Sequence, residues 1–159
     1  MKFISLIHQF LSILILQSCS VLRTSIPFSS SSLITVEAHA GYTYEDIDDK
    51  VTYWSNIFTR LEDDYLIYLF STTCNHCNAI KEEVIEFALS DIYPIYFIYS
   101  SPEITIDSKK AENIGVSSLS ELGIRGYPTL LVLDDKVVTK NLAGESQITS
   151  YLRLLKESA

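Results

Sequence analysis

Residues that could build a metal site are scarce, because the 159-residue sequence has only three cysteines and three histidines. Cys74, His76 and Cys77 lie together, and the other three lie in the N-terminal segment at positions 8, 19 and 39. A structural zinc site needs four ligands, usually as two pairs, so we expect no metal. A c-type haem attachment site requires C-x-x-C-H, and Asn78 after Cys77 excludes it.

The sequence also has few basic residues. Lysine and arginine number 12 against 20 aspartates and glutamates, which gives a formal net charge of −8. Nucleic acids and anionic membrane surfaces bind proteins through basic patches. We therefore expect neither as a partner, and we attribute the acidity to solubility.

The sequence shows no internal repeat and no second domain. A hydrophobic content of 47% argues against disorder, and 159 residues are enough for one domain with a real core. We assign residues 1–22 to a signal peptide or membrane anchor and residues 23–42 to a nearly uncharged, Ser-rich linker. Residues 43–159 are then the folded domain.

The N-terminal segment places Lys2 before a largely apolar run at residues 3–16. That pattern is typical of an export signal or an anchor, so we expect an extracytoplasmic, disulfide-permissive location, either membrane-anchored or secreted. Three possibilities remain for how this N-terminal segment is processed. Leu16-Gln-Ser-Cys19 is similar to a bacterial lipobox, in which Cys19 would be lipidated. An apolar run extended to Leu22 could remain as an anchor. Cleavage after Ala38-His-Ala40 would give a soluble product.

The segment Cys74-Asn-His-Cys77 follows the apolar run at residues 65–70 and precedes a segment with helical periodicity at residues 78–89. A cysteine at the start of a helix has its sulfur near unpaired backbone N–H groups and the positive end of the helix dipole. These stabilise the thiolate, which is the form that attacks disulfides. The alternative interpretation is a purely structural disulfide.

A second motif, G-x-R-G-x-P-T at residues 123–129, leads into another apolar strand. Together with the C-x-x-C after a strand and Gly144 before the last helix, it resembles thioredoxin-fold proteins. Within it, the sequence Arg-Gly-Tyr-Pro-Thr is especially similar to that of protein disulfide isomerase domains. The resemblance implies an α/β thioredoxin fold, with a central mixed β-sheet flanked by helices on both faces. It also implies that Pro128 is cis in a loop facing the dithiol, with the Tyr127 backbone presented to substrate.

Hydrophobic periodicity predicts the order helix, strand, helix, strand, helix, hairpin, helix. The first helix should follow an apolar stripe from Tyr44 to Leu61 that includes Trp54 as a core residue. The remaining elements are strands at residues 65–71 and 92–99, helices at 78–89, 117–122 and about 148–155, and a hairpin of residues 129–133 and 136–142 turning at residues 134–135.

These placements predict a different role for each of the two cysteines. Cys74 should be the exposed nucleophile, and Cys77, one helical turn later, should resolve the mixed disulfide. His76 between them could favour the Cys74 thiolate electrostatically. Two positions depart from the thioredoxin pattern. Tyr68 stands where family members carry a buried carboxylate, and Thr73 replaces the usual tryptophan.

We therefore expect an extracytoplasmic thiol–disulfide oxidoreductase that acts on protein or peptide thiols and disulfides without a cofactor. We expect a monomer that is tethered to the membrane through its N-terminus and can exchange electrons with a membrane redox partner. Disulfide donation or isomerisation is favoured over reduction. The alternatives are an exported reductase and a non-catalytic binding lipoprotein whose cysteines form a structural disulfide.

Overall fold

The computed structural model describes residues 41–112 and 114–159. The predictions for the N-terminal segment, including lipidation of Cys19 and cleavage after Ala40, concern residues outside this range.

The structure is built on a four-stranded mixed sheet with two α-helices. The strands and helices are β1 (Tyr65–Phe70), α1 (Asn75–Leu89), β2 (Ile95–Tyr99), β3 (Thr129–Asp134), β4 (Val137–Ala143) and α2 (Glu145–Ser158). The strand order is β2-β1-β3-β4. β2 runs parallel to β1, whereas β3 is antiparallel to both β1 and β4. This mixed sheet with its flanking helices is the thioredoxin fold, as predicted.

β1 is the central strand of the core, and all six of its residues are fully buried. Alternate side chains point to opposite faces of a sheet, so burial on both faces explains the uninterrupted apolar run. Leu66, Tyr68 and Phe70 pack with the inner residues of α1 and α2. The other three pack on the opposite face, with a group that comprises Trp54, Ile57, Ile104, Leu122 and Ile124.

The predicted first helix is wrong as a continuous element. Two short 3-10 helices, Tyr44–Lys50 and Trp54–Asn56, replace it. Between them, Val51 forms a parallel bridge with Phe97, and the Thr52 N–H donates to the Phe97 carbonyl at 2.8 Å. The chain is therefore extended along the edge of β2 at this point.

This extended crossing explains where the residues of the predicted stripe lie. Ile47 packs on the face covered by α1 and α2, whereas Trp54 and Ile57 pack on the other face. A continuous helix would have placed all three on one side. The core position of Trp54 is confirmed at 6% exposure, but Leu61 is 96% exposed and does not belong to the core.

The segment between β2 and β3 forms turns and bridges rather than the predicted helix at residues 117–122. Within residues 117–122, the N–H groups of Glu121 and Leu122 donate to carbonyls three residues earlier, both at 3.3 Å, which makes turns. The residues on either side are held in other pairings. Ile124 exchanges hydrogen bonds with Thr105 and Asp107, and Val116 accepts from the N–H of Val138 in β4 at 2.8 Å. Within the described part of this segment, the one regular helix is the 3-10 turn Lys110–Glu112.

The hairpin is confirmed, but its turn lies one residue later than predicted. Asp135 and Lys136 have φ angles of +50° and +60°. Positive φ at two central residues is typical of the tight turns that match the twist of paired strands. β3 consequently extends to Asp134.

Candidate active site

Cys74 lies where β1 ends and α1 begins. Its N–H donates to the Ser71 carbonyl at 3.1 Å, and its own carbonyl accepts from the Asn78 N–H at 3.0 Å, which is the first turn of the helix. The Cys74 Sγ accepts a hydrogen bond from the Cys77 N–H at 3.3 Å, so the cysteine is the N-cap of α1. The side chain is half-buried. A partly accessible sulfur therefore sits at the positive end of the helix.

The loop before β3 closes over this sulfur. The Tyr127–Pro128 peptide bond is cis, as the resemblance implied. The Cys74 Sγ donates to the Tyr127 carbonyl at 3.5 Å. The loop is held by its neighbours, because the Gly144 N–H donates to the Pro128 carbonyl at 3.0 Å and the Thr129 hydroxyl donates to Gly126 at 2.8 Å. The predicted contact between this loop and the dithiol is thus present.

Cys77 differs sharply from Cys74 in its surroundings. It is fully buried in the core between α1 and the sheet. Burial, and then the hydrogen bond with Cys74, raise the pKa of Cys77 to about 12. Both cysteines are free thiols in this structure. The pair therefore combines one accessible sulfur with one protected sulfur that keeps its proton at neutral pH.

The His76 side chain contacts α2. Its Nδ1 lies 2.6 Å from Oε1 of Glu145, the first residue of α2. The two side chains are 74% and 40% exposed. A carboxylate at this distance offsets the positive charge of a protonated imidazole. Sequence reasoning missed Glu145, although its position directly after Gly144 at a helix start is a favoured place for an acidic residue.

Tyr68 occupies the position beneath the dithiol where the resemblance implied a carboxylate. It is fully buried, and its hydroxyl has no hydrogen-bond partner within residues 41–112 and 114–159. The same holds for the hydroxyl of Tyr44, which sequence reasoning did not single out. Burial, and then the nearby Cys77, raise the pKa of both tyrosines. These hydroxyls remain protonated and neutral at physiological pH.

Thr73, in the place of the usual tryptophan, makes only local contacts. Its hydroxyl lies 3.1 Å from that of Ser71, and its N–H donates to the same Ser71 oxygen at 3.4 Å. These contacts support the turn that leads into α1.

Within residues 41–112 and 114–159, no group of three or more His, Cys, Asp or Glu side chains is arranged to hold a metal ion. No helix there combines the length and the apolar character needed to cross a membrane.

No protein-family model and no curated protein matches this chain. Solved thioredoxin structures are similar to it. Spinach chloroplast thioredoxin F (long form) is 19% identical, with 72% of this chain and 94% of that one covered and a TM-score of 0.45. Aeropyrum pernix thioredoxin is 17% identical, with coverage of 67% and 81% and a TM-score of 0.44. Mitochondrial thioredoxin 3 from Saccharomyces cerevisiae is 16% identical, with coverage of 69% and 96% and a TM-score of 0.45.

The strand order and the sheet geometry establish the thioredoxin fold. On that fold, the close pair Cys74 and Cys77 at the start of α1 supports thiol–disulfide redox chemistry.

Proposed function

We propose that the protein is an extracytoplasmic thiol–disulfide oxidoreductase that exchanges disulfides with protein or peptide substrates. The observation that carries this proposal is the environment of Cys74. Its sulfur is partly accessible, accepts the Cys77 N–H at 3.3 Å and lies beside the Tyr127 carbonyl at 3.5 Å. A thiolate formed there would be stabilised by the helix N-terminus and could attack, or be released from, a substrate sulfur.

The exchange requires both cysteines. In disulfide donation, a substrate thiolate attacks the Cys74 sulfur of the oxidised protein, forming a mixed disulfide and releasing the Cys77 thiolate, which takes up a proton. A second substrate thiolate then attacks the substrate sulfur of the mixed disulfide and releases Cys74. The substrate dithiol loses two electrons and two protons, and the Cys74–Cys77 disulfide gains them and becomes a dithiol. Reduction of a substrate disulfide is the same sequence in reverse.

Disulfide donation or isomerisation is the proposed direction. The hydrogen bond from the Cys77 N–H and the helix N-terminus stabilise a Cys74 thiolate that exists only in the reduced protein. Stabilising the reduced form by about 1.4 kcal/mol raises a two-electron potential by about 30 mV. Tyr68 stands where the resemblance implied a buried carboxylate and stays protonated, so Cys77 lacks that base, which handicaps a reductase more than an oxidant. The potential should therefore lie above thioredoxin's value of about −270 mV, toward the isomerase value of about −180 mV.

One observation favours a second candidate, an exported reductase. The Glu145 carboxylate lies 2.6 Å from His76 Nδ1 and offsets the charge with which the imidazole would stabilise the Cys74 thiolate. Without that contribution the potential falls toward the value of about −270 mV that suits a reductase.

The proposed location is outside the cytoplasm, with a membrane tether and a membrane redox partner. This part of the proposal is supported by Lys2 followed by the apolar run, and by the lipobox-like Leu16-Gln-Ser-Cys19 before a Ser-rich segment. A single acyl chain binds a bilayer only marginally, so stable retention needs several chains on Cys19.

The function is tested by turnover with the two cysteine variants. Cys74→Ser should abolish exchange with a protein disulfide, whereas Cys77→Ser should accumulate mixed disulfides because nothing resolves them. Non-reducing electrophoresis with mass spectrometry detects those adducts. Unchanged turnover of Cys77→Ser would refute the two-cysteine mechanism. Absence of any exchange by the wild-type chain would identify a non-catalytic binding module instead.

A further inference from the structure

Two buried tyrosine hydroxyls near the dithiol are unexplained by packing alone. The Oη atoms of Tyr44 and Tyr68 are both buried and lack a hydrogen-bond partner in the described part of the chain. Most buried polar groups in folded proteins are satisfied, so each exception needs a reason. The neighbouring Tyr65, also fully buried on β1 but on the opposite face, donates its hydroxyl to the Ile57 carbonyl.

Both tyrosines lie in or against the core cluster that contains Cys77. Tyr68 is part of that core and Tyr44 packs against it. The rings of Tyr44 and Tyr68 stack on Phe70 from β1, with centroid separations of 4.2 and 5.7 Å. After burial, an ionised Cys77 is the largest electrostatic influence that raises the pKa of each hydroxyl. The two hydroxyls and the buried sulfur therefore share one apolar compartment.

The groups that face Cys77 come from four parts of the fold. They are Cys74 at the start of α1, Tyr44 in the first 3-10 helix, Tyr68 on β1 and Tyr127 in the loop before β3. Among the described residues, no carboxylate or cation shifts the pKa of Cys77, whereas the backbone groups of Ser71 and Cys77 lower it. A Cys77 thiolate formed during exchange would be a buried anion near those backbone groups and the hydroxyls of Tyr44, Tyr68 and Tyr127.

We propose that Tyr68 and Tyr44 stabilise the Cys77 thiolate during exchange by donating hydrogen bonds from their hydroxyls, directly or through one water molecule. This inference rests on the proposed function. Tyrosines of raised pKa stay protonated, so they act as donors and not as bases. Hydrogen bonds to charged groups are stronger than those between neutral groups. The hydroxyls left unpaired in the dithiol state are then available for the anion.

The step concerned is resolution of the mixed disulfide. Cys77 loses its proton, its thiolate attacks the Cys74 sulfur, the Cys74–Cys77 bond forms, and the bond from Cys74 to the substrate sulfur breaks. The protein dithiol gives up two electrons, the substrate disulfide is reduced, and the proton lost by Cys77 reaches the departing substrate thiolate through solvent. In the opposite direction, the same hydroxyls stabilise Cys77 as the leaving thiolate.

The test uses the full chain in mild detergent and Ellman's reagent as a small disulfide. Stopped-flow absorbance separates release of the first thionitrobenzoate, by attack of Cys74, from release of the second, by attack of Cys77. The double variant Tyr44→Phe/Tyr68→Phe should slow the second release at pH 7 by about tenfold or more. The same variant should move the pH midpoint of this phase upward and leave the first release unchanged. Each single variant should show part of the effect.

Tyr65→Phe is the matched control, because it removes a buried hydroxyl from the same strand on the face away from the dithiol. Both release phases should be unchanged in this variant. NMR titration of the Cys77 Cβ resonance provides a readout that needs no turnover, and the pKa of Cys77 should be higher in the double variant than in the wild type. An unchanged second phase and an unchanged Cys77 pKa in the double variant would overturn the proposal. Failure of the wild type to turn over protein substrates would instead count against the proposed function.

Discussion

Tyr68→Phe should stabilise the reduced protein, although it removes a polar group from the centre of the core. The Tyr68 side chain is fully buried and its hydroxyl is unpartnered within the described residues. A buried hydroxyl without a hydrogen bond costs about 1–3 kcal/mol in desolvation. Phenylalanine keeps the ring contacts with Phe70 and Phe97. We therefore expect the free energy of unfolding to rise by about 1 kcal/mol.

Tyr65→Phe supplies the comparison of opposite sign. Its hydroxyl donates to the Ile57 carbonyl, so its removal leaves a buried acceptor unpaired. We expect the free energy of unfolding to fall by about 1–2 kcal/mol. Each variant removes one tyrosine hydroxyl from the same strand. The difference between their free energies of unfolding therefore reports the contribution of the Tyr65 hydrogen bond.

Urea unfolding under reducing conditions, followed by circular dichroism, measures both changes. With a urea dependence of about 2 kcal/mol per molar, Tyr68→Phe should move the midpoint upward by about 0.5 M and Tyr65→Phe should move it downward by about 0.5–1 M. Equal destabilisation by the two variants would refute the reasoning, because it would mean that the Tyr68 hydroxyl is satisfied in the native state. Together with slower resolution, a stabilised Tyr68→Phe variant would show that the native residue trades stability for exchange.

Three further predictions concern charge and processing. Glu145→Gln should raise the midpoint potential by up to about 20 mV, since a surface ion pair is worth at most about 1 kcal/mol and about 1.4 kcal/mol corresponds to about 30 mV. His76→Ala in that background should remove the rise, as measured by glutathione titration. Because the pKa of Cys77 is raised from 9.0 to about 12, stability from its buried thiol is complete below pH 9 and declines toward pH 12. Reduced Cys77→Ala should lose less stability over that window in urea titrations, and an equal loss would contradict the assignment. Intact mass should show a lipidated N-terminus at Cys19, and an unmodified Gly41 would contradict it.

The sequence predicted the parts of the site that depend on local order. The apolar run of β1 specifies a strand buried on both faces, and C-x-x-C directly after it places Cys74 at a helix start. The cis bond at Pro128 followed from the resemblance and is present in the structure. The strand and the helix start are encoded by a short motif and its neighbours along the chain, whereas the cis bond could be predicted only through the resemblance.

Other features depend on contacts that no local pattern encodes. The apolar residues from Ile47 to Ile57 fit a helical period, yet the bridge from Val51 to Phe97 divides them between two faces of the sheet. Glu145 meets His76 across 69 residues of sequence. The buried hydroxyl of Tyr44 likewise becomes significant only when the first 3-10 helix is packed against the dithiol.

Equilibration of the wild-type chain against a series of glutathione redox buffers tests the central claim most directly. Acid quenching, alkylation and mass spectrometry measure the fraction with a Cys74–Cys77 disulfide at each potential. We expect one two-electron transition with a midpoint above about −270 mV, toward about −180 mV. A midpoint at or below about −270 mV that His76→Ala leaves unchanged would contradict the donor direction. If Cys74 and Cys77 did not convert between dithiol and disulfide anywhere in the series, the proposed oxidoreductase activity would be contradicted.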